Sequence, residues 1–189
     1  MKNILFLIGF LLLIHITFAQ KKMTNDTLSK SRIELETDPI AFALNGYSFH
    51  IVYVKNRLRY DLGVFGANQP EEYSGNKGFQ TYSQGLGGKI NYLINKKETW
   101  FAGIGAGYAK HRISSKTSEG TKHQETFSVG IHTGYRFFLF KNTFLSNMFI
   151  APWASLDYNI PLNKVSFRAS DYKTKSWSIF PTIHIGYKF

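Results

Sequence analysis

After Ile33 the chain runs in stretches where apolar and polar positions alternate. The stretch that ends at Phe189 is the cleanest. Trp177, Ile179, Pro181, Ile183, Ile185, Tyr187 and Phe189 alternate with Ser178, Phe180, Thr182, His184, Gly186 and Lys188. A period of two means a strand with two unlike faces. Turn chemistry divides the chain into eight expected strands, about 33–44, 47–54, 57–67, 81–94, 99–112, 125–138, 145–159 and 174–189. Asp38-Pro39 interrupts the first and predicts a break or bulge, because proline brings no N–H to a ladder. Asn45-Gly46 predicts a two-residue hairpin turn. Lys55-Asn56, Asn95 to Glu98 and a turn around Lys141-Asn142 supply further short connections, and long polar loops fall at about 68–80, 114–124 and 161–173. No segment of useful length carries a helical period.

Connections after strands two, four and six are short, and those after three, five and seven are long. Outer-membrane barrels have this asymmetry and an even strand number. Asn45-Gly46 is the exception, a short connection on the long-loop side. The chain is thus expected to be all-β, an eight-stranded antiparallel up-and-down transmembrane β-barrel over 33–189. Alternation assigns the faces. Tyr47, Phe49, Ile51 and Tyr53 point outward against Ser48, His50 and Val52. Leu58, Tyr60, Leu62 and Val64 oppose Arg59, Asp61 and Gly63. The later strands repeat the division, with Ile179, Ile183 and Ile185 facing out and His184 in. Tyr53, Tyr60, Tyr92, Trp100, Tyr135, Tyr187 and Phe189 gather at one expected rim. Tyr47, Tyr82, Tyr108, Phe127, Tyr158 and Trp177 gather at the other. Aromatic residues with a polar tip suit the two edges of a hydrocarbon layer. A water-soluble barrel would turn the apolar ring inward and put Arg59, Lys89 and Arg136 in solvent.

An eight-stranded barrel is just wide enough inside for side chains to fill it. Gly85, Gly87, Gly103, Gly105, Gly107, Gly130 and Gly134 make room there for large inward groups. The expected polar network of the lumen is Arg59, Asp61, Lys89, His132, Arg136, Asp157 and His184. Unpaired charges in so narrow a space would cost several kcal/mol each. Arg59, Lys89 and Arg136 are therefore expected to pair with Asp61 and Asp157 and to plug the lumen.

The beginning of the chain changes the picture of location. Met1-Lys2-Asn3, the apolar run 4–14 and Thr17-Phe18-Ala19 read as a signal peptide over 1–19, implying export through the Sec pathway. Residues 20–32 read as a flexible periplasmic lead-in. The full chain carries 23 Lys+Arg and 12 Asp+Glu for a net charge of +11. Removing 1–19 takes one lysine and no acid, leaving +10. That charge suits anionic headgroups, lipopolysaccharide among them. Nucleic acid is set aside, since no binding motif is present. With no cysteine, there is no disulfide and no thiolate chemistry.

Candidate chemistry is sparse. Ser48 and His50 share a strand face, and His111, Ser114, Ser115, His123 and Glu125 cluster near an outer loop. An acyl-transfer site would need a serine, a histidine base and an acidic orienter. Any Ser-x-His strand offers that much, so Ser48 and His50 serve only a competing reading. The histidines lack ligand spacing, so no metal is expected, and no cofactor-binding motif is present.

The segment 1–19, the alternating strands 33–189 and the ending Gly186-Tyr187-Lys188-Phe189 together resemble the small eight-stranded outer-membrane barrels of the OmpA/OmpX type in Gram-negative bacteria. The resemblance implies outer-membrane localisation, a monomer, and Tyr187 and Phe189 as a signal for the barrel-assembly machinery. The expected function is non-enzymatic, in envelope integrity or surface interaction. Loop residues Glu71, Glu72, Lys77, Lys116, Lys122 and His123 are expected to meet lipopolysaccharide or a partner. The alternatives are a lipid A-modifying acyl hydrolase or transferase, and a narrow channel.

Overall fold

The computed structural model describes residues 31–116, 120–140, 144–167 and 172–189. The signal segment, nearly all of the lead-in and the Lys141-Asn142 turn lie outside the described residues. The strands are β1 (Arg32–Thr37), β2 (Tyr47–Lys55), β3 (Leu58–Gln69), β4 (Phe79–Leu93) and β5 (Trp100–Ser115), then β6 (Thr121–Tyr135, resumed at Phe137–Phe138), β7 (Met148–Pro161) and β8 (Trp177–Lys188). Each pairs antiparallel with its neighbour in sequence, and β8 returns to β1, so eight strands close into a ring. Closure removes both sheet edges. The seam is short. It runs from Glu34↔Lys188 to Thr37↔Ile185, and the Phe189 N–H adds one bond to the Ile33 carbonyl at 2.9 Å.

The expected first strand is a strand in its first half only. Pro39–Ala43 is a short helix, α1, with Asp38 as its cap. The Asp38 carboxylate accepts from the Ile40 N–H at 2.8 Å, and Pro39 takes the first helical turn, where a missing N–H costs nothing. Asn45-Gly46 is accordingly not a hairpin turn. Its amides end α1, donating to the carbonyls of Phe42 and Ala41. The β1–β2 connection spans 38–46 and is long, which removes the one exception to the alternation of long and short connections. Between β2 and β3 the turn is Asn56-Arg57, one residue later than expected, with both φ values positive (50° and 68°) and Lys55 paired to Leu58. A second short helix, α2 (Glu71–Ser74), sits in the β3–β4 loop.

β6 breaks at Arg136 without losing register, since Gly134↔Trp153 and Phe137↔Ile150 belong to one ladder. Pro152 stands opposite Tyr135 there and has no N–H to give, while on the other side of the strand the Arg136 N–H continues the β5 ladder to the Thr99 carbonyl at 2.7 Å.

The faces are as the alternation predicts. β2 reads exposed–buried throughout, with Tyr47, Phe49, Ile51 and Tyr53 outside and Ser48, His50, Val52 and Val54 inside. Leu62, Ile104, Ile131 and Ile179 are each at least 60% exposed on the outer surface. The aromatic rows are outward too, in pairs such as Tyr53–Tyr60, Trp100–Tyr135, Tyr158–Trp177 and Tyr187–Phe189. The inverted, water-soluble arrangement is excluded, because Arg59 and Arg136 are almost fully buried within the ring.

Candidate functional site

The inside of the barrel has two halves. Toward the short-turn end, Val52, Val54, Leu93, Phe101, Phe149 and Ala151 form a packed apolar layer with Phe138 and Trp153 against it. Across this layer runs an ionic network whose centre is β1. Glu34, with no exposed surface, accepts from Arg32 (2.9 Å), Arg59 (3.1 Å) and Arg136 (3.1 Å). Glu36 accepts from Arg59 and lies 2.9 Å from His184 Nδ1. Arg32 also forks onto Glu98 in the β4–β5 turn, at 2.7 and 3.1 Å. Such paired donors and acceptors offset the cost of burying the ions. Arg136 has Nε and Nη1 without hydrogen-bond partners, and its guanidinium lies 4.3 Å from the Phe149 ring centre and 5.1 Å from that of Phe138. Ring faces are a partial substitute for acceptors.

Above this layer Asp61 holds Lys89 Nζ at 3.0 Å and His50 Nδ1 at 2.8 Å. Lys89 Nζ also sits 4.4 Å from the Trp153 ring centre. His132 Nε2 bonds the Asn91 amide oxygen, and Ser155 donates to Asp157. The gap left among Arg59, Asp61, Lys89, His132, Trp153 and His184 is about 10 Å³, at the lower limit for one water.

The seven residues expected in the lumen are all inside. Arg59, Arg136 and Asp157 do not make their expected pairings. Arg59 pairs with Glu34 and Glu36, Arg136 with Glu34, and Asp157 accepts from Ser155. Of the expected ion pairs only Lys89–Asp61 is present. The sequence reading missed Glu34 and Glu36, although Ile33 and Leu35 alternate with them and carry the needed signal.

Toward the loop end the lumen is hollow. A cavity of about 490 Å³ extends from Lys89, His132 and Trp153 up to the loops. This corrects the expectation that the inward glycines all make room for side chains. Some do: a Cβ on Gly63 would meet the His50 ring at 2.1 Å, and one on Gly134 would meet Phe101 and Trp153 at 2.5 Å. Gly87 and Gly107 instead border open space. Over the rim, Phe79, Ile113 and Phe167 form a small second core with Val165 and Tyr172.

Ser48 and His50 both line the cavity. His50 is oriented by Asp61, yet no hydrogen bond joins it to Ser48 among the described residues. A different pair does meet, Ser83 Oγ and His111 Nδ1 at 2.6 Å. No carboxylate contacts His111 among the described residues, so the acidic orienter is missing. No cluster of three or more metal-ligating side chains occurs among the described residues either. At the loop end Glu71 pairs with Lys116, whose ammonium holds the Glu71 carboxyl below its ordinary range.

No protein-family model matches the chain, and neither does any curated protein. Among solved structures it is similar to the crystal structure of Neisserial surface protein A, at 13% identity over 84% of this chain and 96% of that one, with a TM-score of 0.48. It is similar also to a major outer membrane protein from Thermus thermophilus, at 11% identity over 84% of this chain and 99% of that one, with a TM-score of 0.42. At these values neither likeness assigns a family or a role to the chain, whose fold rests on its own closed eight-stranded ring.

Proposed function

We propose that the protein is a non-enzymatic integral β-barrel of the outer membrane, acting in envelope integrity or surface interaction through its long loops. The observation that carries this reading is the outer surface. Apolar side chains encircle the ring, bracketed by two aromatic rows, and the ions are shut inside. A patch of that extent far exceeds what a soluble monomer exposes, and it suits a bilayer with interfacial girdles. The packed, ionic short-turn half supports a barrel that passes no solute. The basic outer end, with Lys77 and Lys116 in loops and Lys122 and His123 at the start of β6 rather than in the expected loop, favours lipopolysaccharide as its contact. On this reading Tyr187 and Phe189 are the insertion signal for the assembly machinery.

Cell fractionation and gel mobility test the location. The protein is expected in the detergent-extracted outer membrane, with mobility that changes on heating. Recovery from the periplasm without detergent would overturn the proposal. In a planar bilayer the expected result is no discrete conductance, and stepwise currents would restore the channel. Lipid A profiles test the enzymatic alternative. A modified species lost in the Ser48→Ala and His50→Ala variants would replace the non-enzymatic reading with an acyl hydrolase or transferase.

A further inference from the structure

The cavity in the loop half of the barrel has the size and the wall of a ligand site. Its volume of about 490 Å³ lies within the roughly 300–1,000 Å³ of small-molecule pockets. The ladder places Asp61, Lys89, Gly105 and Gly130 in one rung, and Gly63, Gly87, Gly107 and Ser128 in the inward rung next toward the loops. In that upper rung the His50 ring covers Gly63 and Ser128 has its hydroxyl beside Gly107, which leaves Gly87 as the bare position of the wall above Lys89. A Cβ on Gly87 would have its nearest neighbours at 3.4 and 3.8 Å, which is ordinary contact. A side chain would fit there, and the space is left open. Phe65, Trp153 and Phe180 add apolar wall.

The polar end of this space holds both signs, with Lys89 as its donor-rich group beside Asp61 and Asp157. An ammonium has three donors, and Asp61 takes one from Lys89 while part of the lysine remains accessible. The acids on the wall already accept from protein donors, Asp38 on both oxygens, from Ile40 N–H and from Thr182 at 2.5 Å, and Asp157 on one, from Ser155. Asp61 is shared by Lys89 and His50. Lys173 and Lys175 stand at the mouth. We propose that this cavity binds a small amphipathic carboxylate, with the carboxylate on Lys89 and the apolar body along the Gly87–Gly107 strip against Phe65. The charge-assisted bond supplies orientation, and burial of the apolar body supplies most of the affinity. The site does not depend on where the barrel resides, so its test is separate from the fractionation above.

The chain has three tryptophans, and Trp100→Phe with Trp177→Phe leaves Trp153, at the cavity floor, as the only indole. The refolded barrel is titrated with hexanoate, which partitions weakly into detergent, and with hexylammonium as the oppositely charged control. A saturable change in Trp153 emission is expected with hexanoate and not with hexylammonium. Lys89→Met should weaken hexanoate by roughly tenfold or more, as loss of a charge-assisted bond implies. Because that variant also leaves Asp61 with one partner fewer, Gly87→Leu is the second arm. It fills the space above Lys89 and should abolish binding while heat-modifiable mobility stays unchanged. A response that never saturates, an equal response to hexylammonium, or full binding by Gly87→Leu would overturn the proposal.

Discussion

Glu34 is the residue on which most of the buried charge depends. Three arginines converge on it, and among the described residues Arg136 pairs with no other carboxylate, while Arg59 has Glu36 besides. Removing one partner of a buried ion cluster typically costs about 3–5 kcal/mol, because the remaining charges are left uncompensated. Glu34→Ala is therefore expected to lower the urea midpoint of the refolded barrel strongly, whereas Glu72→Ala, in the exposed loop helix, should stay within about 0.5 kcal/mol of the parent. Equal midpoints for the two variants would contradict the network. The loop pair Glu71–Lys116 gives a pH dependence. The Glu71 carboxyl is lowered, chiefly by its hydrogen bond from Lys116, so the contact contributes above the ordinary value of 4.5 and is lost as pH falls through the lowered one. The Gly78 N–H, 3.4 Å from Glu71 Oε2, reports it. Its amide shift should titrate with a midpoint below 4.5 and stop doing so in Glu71→Gln. Inward charge was legible at Arg59 and Lys89 from alternation alone. The choice of counter-ion was not, because pairing depends on which rungs the ring brings level.

At the scale of elements, what failed to read correctly was local competition between strand and helix. Residues 33–44 look like one interrupted strand, yet Asp38-Pro39 satisfies the helix-start rule as well as the strand-break rule. Thr182, on the neighbouring strand β8, decides in favour of the cap by donating to the second Asp38 oxygen. That contact joins residues far apart in sequence and no local pattern announces it. Pro152 is the opposite case. Its consequence, a break in β6 opposite, falls on a different strand from the residue that causes it. β8 was legible to within three residues at its start and one at its end, since both faces are unambiguous from Trp177 on. Deleting Phe189 removes one ladder bond and a ring against Tyr187, a loss on the order of 1–2 kcal/mol. As an insertion signal it would matter more. Outer-membrane levels of the deletion variant should fall well beyond what the melting of refolded protein loses. Unchanged levels would leave Phe189 with the rim alone.

For the whole molecule, alternation tells which face a residue is on but not how deep the filled part of the lumen reaches. Ring closure, strand number and loop asymmetry followed from the pattern. The hollow half did not, because glycine reads the same whether it yields to a neighbour, as Gly63 yields to His50, or borders a void, as Gly87 does. Closure has a further consequence in time. The β2–β3 hairpin forms across a two-residue turn, whereas β1 and β8 must meet across nearly the full length of the ring's sequence and then share only a short ladder. Loop-closure entropy places that meeting last. Until it happens, the sheet has two bare edges able to recruit strands from other chains. The brief seam between Glu34 and Lys188 is thus where correct assembly and misassembly part.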